Sequence, residues 1–170
     1  QVPLMKEMLK AMGVTTIEKG GYEADDLLGT IAKQSEQKGL TVSVVSGDRD
    51  LLQLATDHIK IRIPKTKRTG TEIEDYNAAE VQEKYQVTPI EFIDVKALMG
   101  DTADNIPGVP GIGEKTATAI IAQYGSVENA YAHVDELKPP RASKNLKEYY
   151  DLAQMSKTLA TIEIHADIDY

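Results

Sequence analysis

A change of hydrophobic period near residue 77 constrains the fold more than any other feature of this sequence. Before it, helical and strand patterns alternate; after it, every apolar period is helical. Val2 to Met12 sets Leu4, Met5, Met8, Leu9 and Met12 on one stripe that Gly13 ends. Residues 23–37 give a second helix, with Leu27, Leu28 and Ile31 turned inward and Gly39 stopping it. "LTVSVVS" (40–46) is β-branched and reads as a buried strand, "HIKIRIP" (58–64) as a second and "TEIEDY" (71–76) as a third, with "PKTKRTG" a basic loop between the last two. This alternation predicts an α/β fold: a partial, mainly parallel sheet with flanking helices. Residues 77–85, 89–99, 114–123, 126–132 and 143–160 then read as helices, which divides the chain into an α/β layer over 1–76 and a helical portion over 77–170.

The net charge of −8 and pI near 4.9 argue against a nucleic-acid partner, unless the acids gather where cations sit. They are in fact grouped. "GYEADD" places Glu23, Asp25 and Asp26 at a helix start, where the macrodipole favours acids but mutual repulsion opposes three so close together. "SGDRD" puts Asp48 and Asp50 directly after a strand, at the end where α/β sheets bind ligands. One of the two is expected to cap the turn beginning near Leu51, which does not account for both. In "GDTADN", Asp101 and Asp104 follow a helix C-terminus, where negative charge opposes the dipole and calls for a compensating cation. Hard oxygen ligands without nearby histidine suit Mg²⁺ or Mn²⁺, and the absence of cysteine excludes thiolate nucleophiles and sulfur-ligated zinc. The seven named acids account for all but one unit of the net charge.

"GVPGIGEKTA" (108–117) follows at once. Gly111 and Gly113 permit positive φ and close backbone approach, and the helix that Glu114 or Lys115 opens presents N–H groups to phosphate. With a helix on each side, residues 98–124 read as a helix-hairpin-helix contact for a DNA backbone, against the plainer reading of a tight turn. Lys65, Lys67 and Arg68 read as a solvated loop, and the three histidines have no ligand spacing.

In order, "GYEADD", "SGDRD" and "GDTADNIPGVPGIGEKTA" resemble the 5′ nuclease, or flap endonuclease, family. The closest likeness is to the 5′–3′ exonuclease domain of bacterial DNA polymerase I, and "IEFIDVKALMGD" and "YGSVENAY" extend it along the chain. The resemblance implies hydrolysis of DNA phosphodiesters near a 5′ end or flap by two-metal catalysis, in replication and repair. It makes Glu23, Asp25 and Asp26 ligands of a first Mg²⁺ or Mn²⁺, and Asp48, Asp50, Asp101 and Asp104 ligands of a second. It also makes Gly108, Gly111, Ile112, Gly113, Lys115 and Thr116 the duplex contact, with K⁺ at the hairpin. It further implies a cytoplasmic, nucleoid-associated setting and a polymerase region following in the full-length protein. In the family a strand, two metal-binding aspartates and a helical arch come before the segment that aligns with Gln1, so the chain by itself is expected to cut DNA poorly. The rival reading is a non-catalytic helix-hairpin-helix binding module whose acids only cap.

Overall fold

The computed structural model describes residues 1–170. Helix α1 spans Val2–Ala11 and α2 Ala24–Gln37; strand β1 is Val42–Val45, followed by a 3₁₀ segment Arg49–Leu54, β2 Ile59–Lys67 and β3 Gly70–Tyr76. Helices α3 (Ala78–Tyr85), α4 (Pro89–Met99), α5 (Glu114–Tyr124), α6 (Val127–Ala132), α7 (Pro140–Glu148) and α8 (Tyr150–Ala160) complete the chain. The α/β fold followed by helices is as the sequence predicts. No helix is long and apolar enough to cross a membrane.

Helix α4 is the hub. Thr88 Oγ1 accepts from the Glu91 N–H at 3.3 Å while Glu91 reaches back to the Thr88 N–H at 2.7 Å, and Pro89 fixes the first helical φ. Every residue from Phe92 to Leu98 is buried, because the 3₁₀ segment, α5 and α8 pack around it. Leu51, Leu52, Ile59, Ile61, Val81, Leu98 and Ile121 lie wholly inside, each worth about 1.5–3 kcal/mol of burial. One continuous core runs from Ala32 to Ala153, so the α/β and helical portions share their apolar interior.

Four local expectations are corrected. The sheet is mixed rather than mainly parallel: β1 pairs parallel to β2, but β3 returns antiparallel to it. The "PKTKRTG" segment is mostly hairpin, with β2 running through Lys67 and the chain turning back at Gly70. Strand β1 is an edge strand with only Val44 buried and Val45 64% exposed, and Leu28 points outward on α2; strand order decides this, and strand order is not written in local pattern. The helix expected over 143–160 is two. It breaks at Tyr149 (φ −114°, ψ 29°), which lets α7 rest on the loop after α4, with Asn145 Nδ2 donating to the Pro110 carbonyl at 2.7 Å, while α8 packs on α4 itself.

Where α4 ends, two glycines bring separate stretches of backbone into contact. Gly100 (φ +72°) and Gly108 (φ +63°) are so close that a Cβ on Gly108 would lie 2.4 Å from the Gly100 nitrogen. The Val109 N–H donates to the Leu98 carbonyl at 2.8 Å, and the Gly108 N–H to Ser156 Oγ of α8 at 2.9 Å. Gly108→Ala is expected to lower stability by about 2–4 kcal/mol, combining the positive φ with a clash against backbone that cannot yield. Chemical denaturation at equilibrium would measure it, and an unchanged midpoint would refute the tight crossing.

Candidate metal centre and hairpin

The loop after α4 is closed by two backbone hydrogen bonds between Asp101 and Ile106, both 2.8 Å. Inside it Asp101 Oδ1 accepts from the Ala103 N–H at 2.8 Å, and Asn105 takes the left-handed conformation (φ +57°). The turn therefore presents Asp101 and Asp104 on one side. From the end of β1 the 3₁₀ segment brings Asp50 to meet them, and carboxylate oxygens of Asp50, Asp101 and Asp104 lie within 4.8 Å of one another. Asp48 does the capping expected of one member of its pair: its Oδ1 accepts from the Asp50 N–H at 2.8 Å.

Lys96, buried on α4, reaches into this cluster. Its Nζ bonds Asp50, lies 2.7 Å from Asp101 Oδ2 and 4.0 Å from Asp104 Oδ2. Burial alone would drive its proton off, but the hydrogen bonds to Asp101 and Asp50 outweigh burial and raise its pKa above the ordinary 10.5. The same contact, with the Ala103 N–H, lowers that of Asp101. Asp50 is more deeply set, and burial pushes its pKa up despite Lys96, helped by the charge on Asp48. Three carboxylates and one ammonium leave a charge of −2, which one divalent cation balances, and an all-oxygen donor set at this spacing fits Mg²⁺ or Mn²⁺.

The other predicted ligands are arranged differently. An open cleft of about 780 Å³ joins Glu23, Asp25 and Asp26 to Asp48, Asp50 and Asp104, so all the named acids except Asp101 line it. Glu23, Asp25 and Asp26 do not join the close carboxylate group. Asp26 is occupied structurally: Oδ2 accepts from the Glu23 N–H at 3.0 Å, and Oδ1 from the Glu163 N–H at 2.9 Å, latching the C-terminal segment to α2. Asp25 is the member facing the cluster; burial, then repulsion from Asp48, Glu23, Asp26 and Asp104, raises its pKa. Such a strained carboxyl is what a cation would relieve.

In the hairpin the positive-φ pair is Gly108 and Gly111 (φ +79°), not Gly111 and Gly113; Gly113 has φ −91° and caps α5. Gly108 is buried with its N–H engaged, and the Ile112 side chain is 3% exposed, so neither offers a side chain or a donor outward as expected. Gly111, Gly113 and Lys115 are exposed and Thr116 half-buried at the start of α5. Sequence reasoning missed Arg141 of α7, whose guanidinium lies beside Gly111. It also missed Lys96, although a lone lysine in the apolar run "FIDVKALM" was a usable signal that a partner must exist.

Residues 1–86 match the 5′-3′ exonuclease N-terminal resolvase-like domain, and residues 87–170 the 5′-3′ exonuclease C-terminal SAM fold. The chain belongs to the 5′–3′ exonuclease family. Among its relatives are DNA polymerase I of Bacillus caldotenax and of Bacillus subtilis, each 47% identical over 99% of this chain. The chain spans 19% of the length of either. A bacteriophage T5 5′-exonuclease solved with divalent zinc ions superimposes with TM-score 0.79 at 27% identity, over 95% of this chain and 59% of that one. The T5 D15 flap endonuclease in a pseudo-enzyme-product complex with DNA and metal ions gives 0.75 at 27%, over 93% and 56%. The catalytic core of Rad2, at 17% identity and TM-score 0.63, shares the fold.

Lys96→Met is expected to destabilise the metal-free protein by about 1–3 kcal/mol, less than for a fully buried pair because Asp101 and Asp104 are partly solvated. Asp101, with its lowered pKa, adds stability that is present above about pH 3.8 and lost in acid; Lys96, with its raised pKa, adds stability lost only as alkali passes 10.5. The melting-temperature difference between variant and parent should thus be largest near neutral pH and shrink in alkali past 10.5 and in acid, where the loss begins above pH 3.8 because Asp50, with its raised pKa, protonates first. A pH-independent difference would contradict the pairing.

Proposed function

We propose that this chain is the metal-binding and duplex-gripping part of a 5′–3′ exonuclease or flap endonuclease domain that hydrolyses DNA phosphodiesters in replication and repair. The observation that carries this reading is the convergence of Asp50, Asp101 and Asp104 one turn from a phosphate-shaped hairpin. Residues 1–76 supply Glu23, Asp25, Asp26, Asp48 and Asp50, and residues 77–170 supply Asp101, Asp104 and the hairpin. Mg²⁺ or Mn²⁺ would be held by Asp50, Asp101 and Asp104 with Asp48 adjoining, and by Asp25 with Glu23 and Asp26 across the cleft. When bound, such ions supply activation of water and stabilisation of the leaving oxygen.

The chain's own groups do the positioning. The Asp101–Ile106 closure and the 3₁₀ segment hold the carboxylates apart from one another at fixed separations. Gly111, Gly113 and the first N–H groups of α5 face a phosphate backbone, with Lys115, Thr116 and Arg141 beside them; hairpin carbonyls would take K⁺. A following polymerase region belongs to this reading, supported by the DNA polymerase I relatives, and a cytoplasmic, nucleoid-associated setting is proposed with it.

Isothermal calorimetry with Mn²⁺ should show binding that Asp101→Asn weakens at least tenfold, while Gly111→Val leaves that heat intact and abolishes duplex affinity in fluorescence anisotropy. Duplex binding with no Mn²⁺ heat in the unaltered chain would instead support the non-catalytic module.

A further inference from the structure

Beside the carboxylates the same surface carries an excess of positive charge. Arg49 Nη2, Lys65 Nζ and Lys84 Nζ lie 3.5, 2.6 and 3.3 Å from the one carboxylate of Glu74. Arg49 also donates to the Tyr85 hydroxyl, and Lys84 to the Tyr76 hydroxyl at 2.6 Å, which itself donates to Glu74 at 2.6 Å. Lys65, then Tyr76, hold the Glu74 carboxyl at a pKa of about 2. A brace between β3, the 3₁₀ segment and α3 needs one cation for one carboxylate. Here there are three, leaving two positive charges on a protein whose net charge is −8.

Placement gives the excess a meaning. Arg49 stands in the chain between Asp48 and Asp50, and its guanidinium reaches Tyr85 of α3 and Glu74 of β3. Arg49, Lys84 and Tyr85 line an open cavity of about 840 Å³ together with Asp50, Asp101, Asp104 and, from the start of α5, Glu114. The cations keep 37–43% of their side-chain surface exposed, so they can change partners without unfolding the brace. A guanidinium can hold Tyr85 with one edge and a phosphate oxygen with another.

Building on the function proposed above, we infer that Arg49 and Lys84, with Lys65 behind them, are a phosphodiester-binding wall. It holds the DNA strand beside the carboxylate cluster. The strand would then be held by two kinds of contact near the carboxylates: hairpin N–H groups and side-chain cations. Glu74 acts as the resident anion that keeps the cations ordered until a phosphate shares them.

Anisotropy of labelled DNA without divalent ions, at several salt concentrations, tests this. Arg49→Gln and Lys84→Gln should each weaken binding about threefold to tenfold and reduce the slope of log affinity against log salt by about 0.7–0.9. Glu74→Gln should act in the opposite direction and tighten binding, because it frees the cations. Loss of a brace alone could not produce that, which guards against variants that merely fold poorly. Deoxyadenosine monophosphate should compete only weakly, since a strand and not a free nucleotide is the ligand. Salt slopes equal to the parent's, or weaker binding by Glu74→Gln, overturn the inference while leaving the reading of the carboxylates and hairpin standing. Failure of the unaltered chain to bind DNA overturns both.

Discussion

Carboxylates whose oxygens lie within 4.8 Å of one another in a half-buried setting repel strongly, and the site of this protein is organised around that cost. Asp50 arrives from the end of a strand, Asp101 and Asp104 from the end of a helix, and nothing in their own chemistry holds the two segments together. Lys96 does. It sits on the most buried helix, where an unpaired ammonium is expensive, and so both sides of the pairing need the other. The three-carboxylate geometry is therefore ready before any cation enters, and the charge left over matches one divalent ion. The second buried charge of α4, Asp94, faces away and does purely structural duty, accepting from the Val127 N–H at 3.0 Å and pairing with Lys157 at 2.8 Å.

What the sequence revealed and what it hid follow from the range of the forces involved. The acids at Asp48, Asp50, Asp101 and Asp104 were legible because element ends are marked locally, by β-branched runs, Thr88–Pro89 and Gly100. That Asp50, Asp101 and Asp104 converge apart from Glu23, Asp25 and Asp26 was an expectation of the family resemblance alone; it depends on how β1 meets α4, which no local period encodes. The open edge of β1 and the break at Tyr149 are tertiary outcomes as well. "KNLKEYYDLAQM" contains no glycine or proline to announce a break; the chain divides because two different surfaces need covering. Gly113 was misread for the opposite reason. Local rules allow positive φ at any glycine, and which ones use it depends on tertiary packing, as the crossing of Gly100 with Gly108 shows.

Charge is unevenly placed on this protein. Glu23, Asp25, Asp26, Asp48, Asp50 and Asp104 line one cleft, and Arg49, Lys65 and Lys84 gather on a single glutamate. An average charge of −8 therefore says little about any one surface of this protein, because the distribution is so uneven.

The contact between Gly100 and Gly108 carries one more implication. Asp101 follows the first glycine immediately and the exposed hairpin begins just past the second, while Val109 and Ser156 pin the same crossing to α4 and α8. Anything seated on the hairpin is therefore at a fixed stride from the carboxylates, set by backbone touching backbone and not by a flexible tether. Under the function proposed above, the molecule would work as a gauge, in which the point of attachment on a duplex would dictate which residue of the polymer is brought to the acids.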